Sequence, residues 1–143
     1  MTIQYKILRM DETGYRFNFD YDYQSLDKNR IVFQFAHTFD TKEETGEISV
    51  EVQTVLGDEN EVMLAEQRVR ATFAVNPYSE VVKRQDKDGM TSSAPMLIDT
   101  FVNVVIGGLR GMLTKNLKGT PLEGCVIPLI SMDVVRKMIT SKE

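Results

Sequence analysis

Histidine and cysteine each occur once in the 143 residues, as His37 and Cys125. A lone cysteine cannot close an intramolecular disulfide, and no zinc-ligand spacing can be assembled around it. Long apolar runs are also missing. None approaches the roughly 20 residues needed to span a bilayer, so membrane insertion is not expected. The opening residues, MTIQYKILRMDETG, lack a basic patch followed by a long apolar stretch, which argues against a secretory signal. Basic charge is in short supply. Seventeen Lys and Arg face 21 Asp and Glu, giving a net charge of −4. That balance argues against nucleic acid as the main partner. What remains is ordinary for a globular chain: 42% apolar and 27% charged residues, enough for one domain over residues 1–143 and not comfortably for two. A soluble, cytoplasmic protein with no metal and no cofactor is expected.

The first half of the chain alternates. Tyr15, Phe17, Phe19, Tyr21 and Tyr23 fall on one face, and Arg16, Asn18, Asp20 and Asp22 on the other. Period two is the pattern of a strand with one buried face. Ile3, Tyr5 and Ile7 join the same strand if a turn or bulge lies between Asp11 and Gly14. Alternation resumes at Ile31, Phe33, Phe35, His37 and Phe39, and again at Ile48, Val50 and Val52. Gly57-Asp58-Glu59-Asn60 reads as a hairpin turn. A fourth strand runs from about Glu61 to Val75. Its apolar face switches from Val62 and Leu64 to Val69, Ala71, Phe73 and Val75. Either a bulge near Ala65 to Arg68 or burial on both faces accounts for the switch. Asn76 to Ala94 reads as loop, with a short helical turn at Ser79 to Lys83.

The second half is helical. Pro95 suits a first turn, with Ser93 as its cap. Ile98, Phe101, Val102, Val105, Leu109, Met112 and Leu113 recur at helical spacing, and the helix should end at Lys118-Gly119. Another stripe holds Val104, Gly107, Gly108 and Gly111. Each interior glycine costs about 1 kcal/mol against alanine, so close approach of another backbone is required. That backbone belongs either to the protein's own sheet or to a second subunit. The run TPLEGCVIPLI over Thr120 to Ile130 has two prolines and a glycine. It is extended and apolar and must lie against something. Ser131 caps a last helix from Met132 to about Ser141. Strands followed by helices give an α+β fold: a four-stranded antiparallel sheet, connected as a meander, with a long and a short helix on one side.

Catalytic chemistry is scarce. His37 sits among phenylalanines with no partner indicated, and Cys125 lies in an apolar stretch that gives no thiolate stabilisation. The acidic residues Glu43, Glu44, Glu47, Asp58, Glu59 and Glu61 have turn and strand spacing, with no calcium-loop pattern. They form a solvated face or a docking surface for a basic partner. An enzyme is not expected. The surplus lies in aromatics and methionine: eight of the twelve Phe and Tyr residues fall between Tyr15 and Phe39, and there are eight methionines. That is generous for one covered sheet face. Surplus apolar surface marks an interface or a groove, and Met with aromatics suits a surface that accepts many sequences.

The ordered set of IQYKILRMDETGYRF, ISVEVQTVLGDENEVMLAEQRVRATFAV and GGLRGMLTKNLKGTPLEGCVIPLISMDVVRKMI resembles the SecB family of protein-export chaperones, from about Ile3 to Ile139. The resemblance implies a homotetramer built as a dimer of dimers. The long helices, with the Val104, Gly107, Gly108 and Gly111 stripe, would lie at subunit contacts. It implies an ATP-independent holdase that keeps unfolded preproteins for export. Its apolar client groove would be walled by Tyr21, Tyr23 and Leu26, then by Leu122, Val126, Ile127, Leu129 and Ile130. With one residue inserted in the preceding turn, Leu64 and Glu66 match the family's contacts to the SecA motor. Some SecB-like proteins serve instead as partners of a single aggregation-prone antitoxin.

Overall fold

Apolar side chains at every second position build strands whose one face seeks cover, and four such strands pair here. The computed structural model describes residues 2–86, 89–131 and 133. Strands β1 (Gln4–Phe17), β2 (Val32–Lys42), β3 (Glu47–Gly57) and β4 (Met63–Asn76) form one antiparallel sheet in the order β1-β4-β3-β2. Only β2, β3 and β4 follow one another as a meander. β1 lies beyond β4, so residues 18–31 must cross the end of the sheet to reach β2, and the expected four-strand meander is corrected accordingly. Helix α1 (Pro95–Asn116) packs on one face of β3 and β4. Ile48, Val50, Val52 and Leu56 of β3 meet Ala65, Val69, Ala71 and Phe73 of β4 in the buried layer below it. Phe73 and Phe101 stack at 4.0 Å and 8° where helix and sheet meet.

β4 carries no bulge against β3 between Ala65 and Ala74, since the pairing register is continuous there. The alternation instead persists through a polar residue. Gln67 takes a fully buried place on the helix face, and Leu64 is buried on the opposite face. Gln67 is tolerated because its amide is bonded: it donates to Glu12 Oε2 (2.8 Å) and to the Gly14 carbonyl (3.2 Å). Asn116 donates to Glu12 and to Gln67 Oε1. This polar network runs from exposed Glu12 and half-buried Asn116 in to buried Gln67, so the buried amide has the partners that buried polar groups need. The bulges lie in β1, where the register shifts between Ile7 and Arg9 and between Glu12 and Gly14.

Three further corrections concern local structure. β1 ends at Phe17, so Phe19, Tyr21 and Tyr23 do not continue it. Asn18 donates from its amide to the Met63 carbonyl (2.8 Å) and from its backbone to Leu64 (2.8 Å), and the chain turns away. After β4 the expected short helical turn is present as a single 3-10 turn, Tyr78–Glu80, but the rest, expected as loop, forms a two-stranded hairpin, β5 (Val82–Asp86) with β6 (Gly89–Ser92). α1 is capped by neither Ser93 side-chain oxygen nor its own N-cap residue, Ala94. Ser92 Oγ accepts the Ala94 amide (2.9 Å), and Ser93 Oγ donates to the Glu80 carbonyl (2.7 Å). By length and composition α1 is apolar enough to cross a membrane, which apolar run length alone did not show; its apolar stripe packs on the sheet. Apart from Asp133, the expected last helix lies outside the described residues.

Candidate functional site

Two stretches without regular structure flank the start of β2. The first is the crossover, residues 18–31. Two single turns of 3-10 helix stiffen it, Tyr23–Ser25 and Lys28–Arg30. Each is opened by an aspartate: Asp22 Oδ1 accepts the Gln24 amide and Asp27 Oδ1 accepts the Asn29 amide. This is the N-cap chemistry that short polar side chains supply. The second stretch follows α1. Leu117 closes the helix, Gly119 adopts φ +81, and the chain doubles back along the helix. Arg110 holds it there, donating from Nε to the Ile127 carbonyl (2.8 Å) and from Nη2 to the Pro128 carbonyl (3.0 Å). Residues 121–124 form turns, with the Glu123 amide donating to the Thr120 carbonyl, and 125–130 run on without regular structure.

A groove of about 310 Å³ opens between these stretches. Its crossover side is Lys28, Asn29 and Ile31, continuing onto Phe33 of β2; its other side is Glu123, Gly124, Cys125 and Val126. Four apolar side chains therefore face a cleft with polar groups beside them, the usual make-up of a binding groove. Beyond it the apolar surface continues: Val126 is 49% exposed and Leu129 92%. Cys125 is half-buried, and burial pushes its thiol above the ordinary value, with Lys28 opposing weakly. It is a thiol at neutral pH, as a small apolar lining group would be.

The expected groove residues are brought together only in part. Val126 lines the groove; Leu129, three residues on, is exposed, and Ile130 packs against the core. Leu122 is fully buried and Ile127 nearly so. Both belong to the core under the second stretch and hold it in place; they do not present a surface to a ligand here. Tyr21 and Leu26 line a separate hollow of about 170 Å³, shared with Arg30, Asp58 and Asn60 at the β3–β4 turn. Tyr23 stacks on Phe17 (5.4 Å, 24°) and donates its hydroxyl towards the Asn18 carbonyl at 2.5 Å. Burial, then the neighbouring Tyr21, push its phenol up to about 12. Lys28, Asn29, Ile31 and Phe33 were not singled out. Ile31 and Phe33 could have been, because they open the β2 alternation directly after the polar break.

Leu64 and Glu66, expected from the resemblance as contacts to SecA, are both buried in the single chain. Leu64 is fully buried. The Glu66 side chain is 8% exposed and sits between Arg16 Nη2 (2.6 Å) and Arg68 Nη2 (3.2 Å). His37 is half-buried and edge-on to Phe39 (5.4 Å, 74°). It lies four residues beyond Phe33, about 13 Å at the rise of a strand, so it and Cys125 do not form a nucleophilic pair. Among the described residues no group of His, Cys, Asp and Glu is arranged to hold a metal.

The glycine stripe divides. Gly108 faces the protein's own sheet, where a β-carbon would run into the Met10 thioether; Gly107 and Gly111 have nothing within 4 Å of where a β-carbon would stand. With Val104, at 39% exposure, they form an open strip on the outer side of α1.

A four-stranded antiparallel sheet in this order, backed by one long helix and followed by an irregular return, is a SecB-like α+β fold. The solved structure of the SecB-like chaperone Rv1957 from Mycobacterium tuberculosis, in complex with a ChAD peptide from the antitoxin HigA1, superposes on it with a TM-score of 0.59 and 10% sequence identity, covering 89% of this chain and 91% of that one. A protein of unknown function from Streptococcus agalactiae is also similar, at a TM-score of 0.35 and 9% identity, too distant to support any argument. No family model and no curated protein matches the sequence.

Proposed function

We propose that this protein is a cytoplasmic, non-enzymatic holdase that binds extended apolar segments of unfolded polypeptides. The observation that carries the reading is the open groove between residues 28–33 and 123–126, continuous with exposed Val126 and Leu129, on a SecB-like fold. A shallow cleft of mixed lining, with Ile31, Phe33 and Val126 beside Lys28, Asn29 and Glu123, suits chains of little sequence in common, because several weak subsites on one chain combine into useful avidity. No nucleotide is needed for such binding. In this reading the protein is a homotetramer, a dimer of dimers, and the open strip of Val104, Gly107 and Gly111 is a subunit contact. Multiple grooves on one assembly would then share a client. Delivery of a held export client to SecA is part of this reading only as a further step. The test is aggregation suppression: light scattering of a chemically unfolded client diluted into buffer falls as the protein approaches stoichiometric amounts. Undiminished scattering with several unrelated clients would overturn a general holdase.

A second reading has one specific observation in its favour. The SecB-like chaperone that superposes on this chain is seen holding a peptide from an antitoxin. This protein would then be an adaptor for one dedicated, aggregation-prone partner. A pull-down with a single stoichiometric partner, together with no effect on generic clients, would favour it.

A further inference from the structure

The two sides of the groove hang from different parts of the molecule. The 123–126 side is held by α1, through Arg110. The crossover side has no such support. Every hydrogen bond from residues 18–31 to the rest of the described residues lands on residues 58–64, the β3–β4 turn and the start of β4. Among the described residues no hydrogen bond spans the groove itself. Two of the bonds are side chain to side chain. Tyr21 donates from its hydroxyl to Asp58 Oδ2 at 2.7 Å, and Arg30 donates from Nη1 to Glu59 Oε2 at 2.8 Å. Asp58 works on both sides at once. Its other oxygen, Oδ1, accepts the Asn60 amide (2.9 Å) and the Val62 amide (2.8 Å), which shapes the turn. The turn needs that support because Glu61 sits at φ +67, a left-handed conformation that is unfavourable for a side chain of this kind.

We propose that the Tyr21–Asp58 and Arg30–Glu59 pairs form a clip through which the β3–β4 turn positions the crossover side of the groove and so sets how firmly a bound polypeptide is held. The inference rests on the holdase reading of that groove. Tyr21 and Asp58 are positioning residues: neither lines the groove, and each acts on Lys28, Asn29 and Ile31 through the intervening chain. Of the two pairs, Tyr21–Asp58 carries more of the effect. It is the less exposed, with Asp58 buried, so water competes less for its contact. Arg30 and Glu59 are both exposed, so water competes for their contact.

The test uses the full chain and a permanently unfolded probe, reduced and carboxymethylated α-lactalbumin carrying a fluorophore. Tyr21→Phe removes one hydroxyl and keeps the ring that lies against Tyr23. The expected result is dissociation of the probe faster by roughly 3- to 10-fold, the range one net hydrogen bond covers. Amide exchange should speed up in residues 20–31 and stay unchanged in β3 and α1. Asp58→Asn combined with Tyr21→Phe should add little to either single change, because both remove the same contact. Exchanging the charges, Arg30→Glu with Glu59→Arg, should restore a dissociation rate that Arg30→Glu alone increases. Dissociation from Tyr21→Phe at the wild-type rate, with exchange in 20–31 raised, would overturn the clip's role in holding. Unchanged exchange would overturn the clip itself. Failure of the wild-type protein to bind the probe would instead overturn the holdase reading, and the exchange measurement would still report on the clip.

Discussion

Placing alanine at both Gly107 and Gly111 pits two consequences of the same strip against each other. Within one chain a methyl group at either site meets nothing within 4 Å. The substitution therefore brings only the helix-propensity gain, about 1 kcal/mol per site, or roughly 2 kcal/mol together. For a chain of this length 1 kcal/mol raises the melting temperature by roughly 2–4 °C, so the double variant should melt about 4–8 °C higher when monomeric. In an assembly the same methyls would stand where a neighbouring backbone comes close. Overpacking of that kind costs typically 1–3 kcal/mol per contact, so the assembly should dissociate at higher protein concentration than wild type. Light scattering across a dilution series, run beside thermal melts at each concentration, separates the two. A lower melting temperature for the dilute variant would refute the open geometry of the strip. A raised melting temperature with unchanged assembly would refute its role as a contact. Gly108→Ala serves as the contrast: its methyl runs into the Met10 thioether, so it should not stabilise even the isolated chain.

Leu122→Ala should destabilise the protein by about 2–5 kcal/mol, the range for a leucine lost from a packed core, since Leu122 is fully buried; chemical denaturation measures it. Leu129→Asp, at a 92% exposed site, should leave stability unchanged and weaken suppression of client aggregation. Tyr23 has its phenol raised to about 12, first by burial and then by Tyr21. A raised pKa stabilises the folded state below the unfolded value near 10 and loses that contribution as the pH climbs to about 12. Ultraviolet titration should show Tyr15, Tyr21 and Tyr23 ionising later than a free phenol, Tyr23 only near pH 12 and with unfolding accompanying it. Cys125, its thiol raised by burial, should alkylate more slowly than free cysteine at neutral pH and recover only as the pH rises or the protein unfolds.

Parts of this fold were readable from local pattern and parts were not, for reasons that can be named. The alternation of Ile48, Val50 and Val52, and the helical spacing from Ile98 to Leu113, match the buried layer because both are repeats imposed by one covered face. Phe19, Tyr21 and Tyr23 also alternate, yet they lie outside any strand. Their pattern is produced by tyrosine hydroxyls and rings that pin an irregular segment to the body, which hydrophobic periodicity cannot separate from a strand. Of the two explanations for the face switch in β4, burial on both faces holds, with Leu64 buried on one face and Gln67 on the other. The burial of Gln67 depends on Glu12 and Asn116, 55 and 49 residues away in sequence, and no local window contains them. The pairing of β1 with β4 is non-local in the same sense. At the site, the apolar character of Thr120 to Ile130 was legible, but residues 121–124 form turns and only 125–130 run without them. Which of its side chains face outward was not: Leu122 and Ile127 turn inward while Val126 and Leu129 turn outward, and a segment without regular repeat gives no period from which to tell them apart.

The central claim, that the groove holds unfolded polypeptide, is tested most directly by size-exclusion chromatography with light scattering after an unfolded client is diluted into the protein. The account predicts that the client elutes in a soluble complex with this protein, and that Leu129→Asp reduces the amount carried. A client that precipitates completely while the protein elutes alone, at every ratio tried and for several unrelated clients, would contradict it.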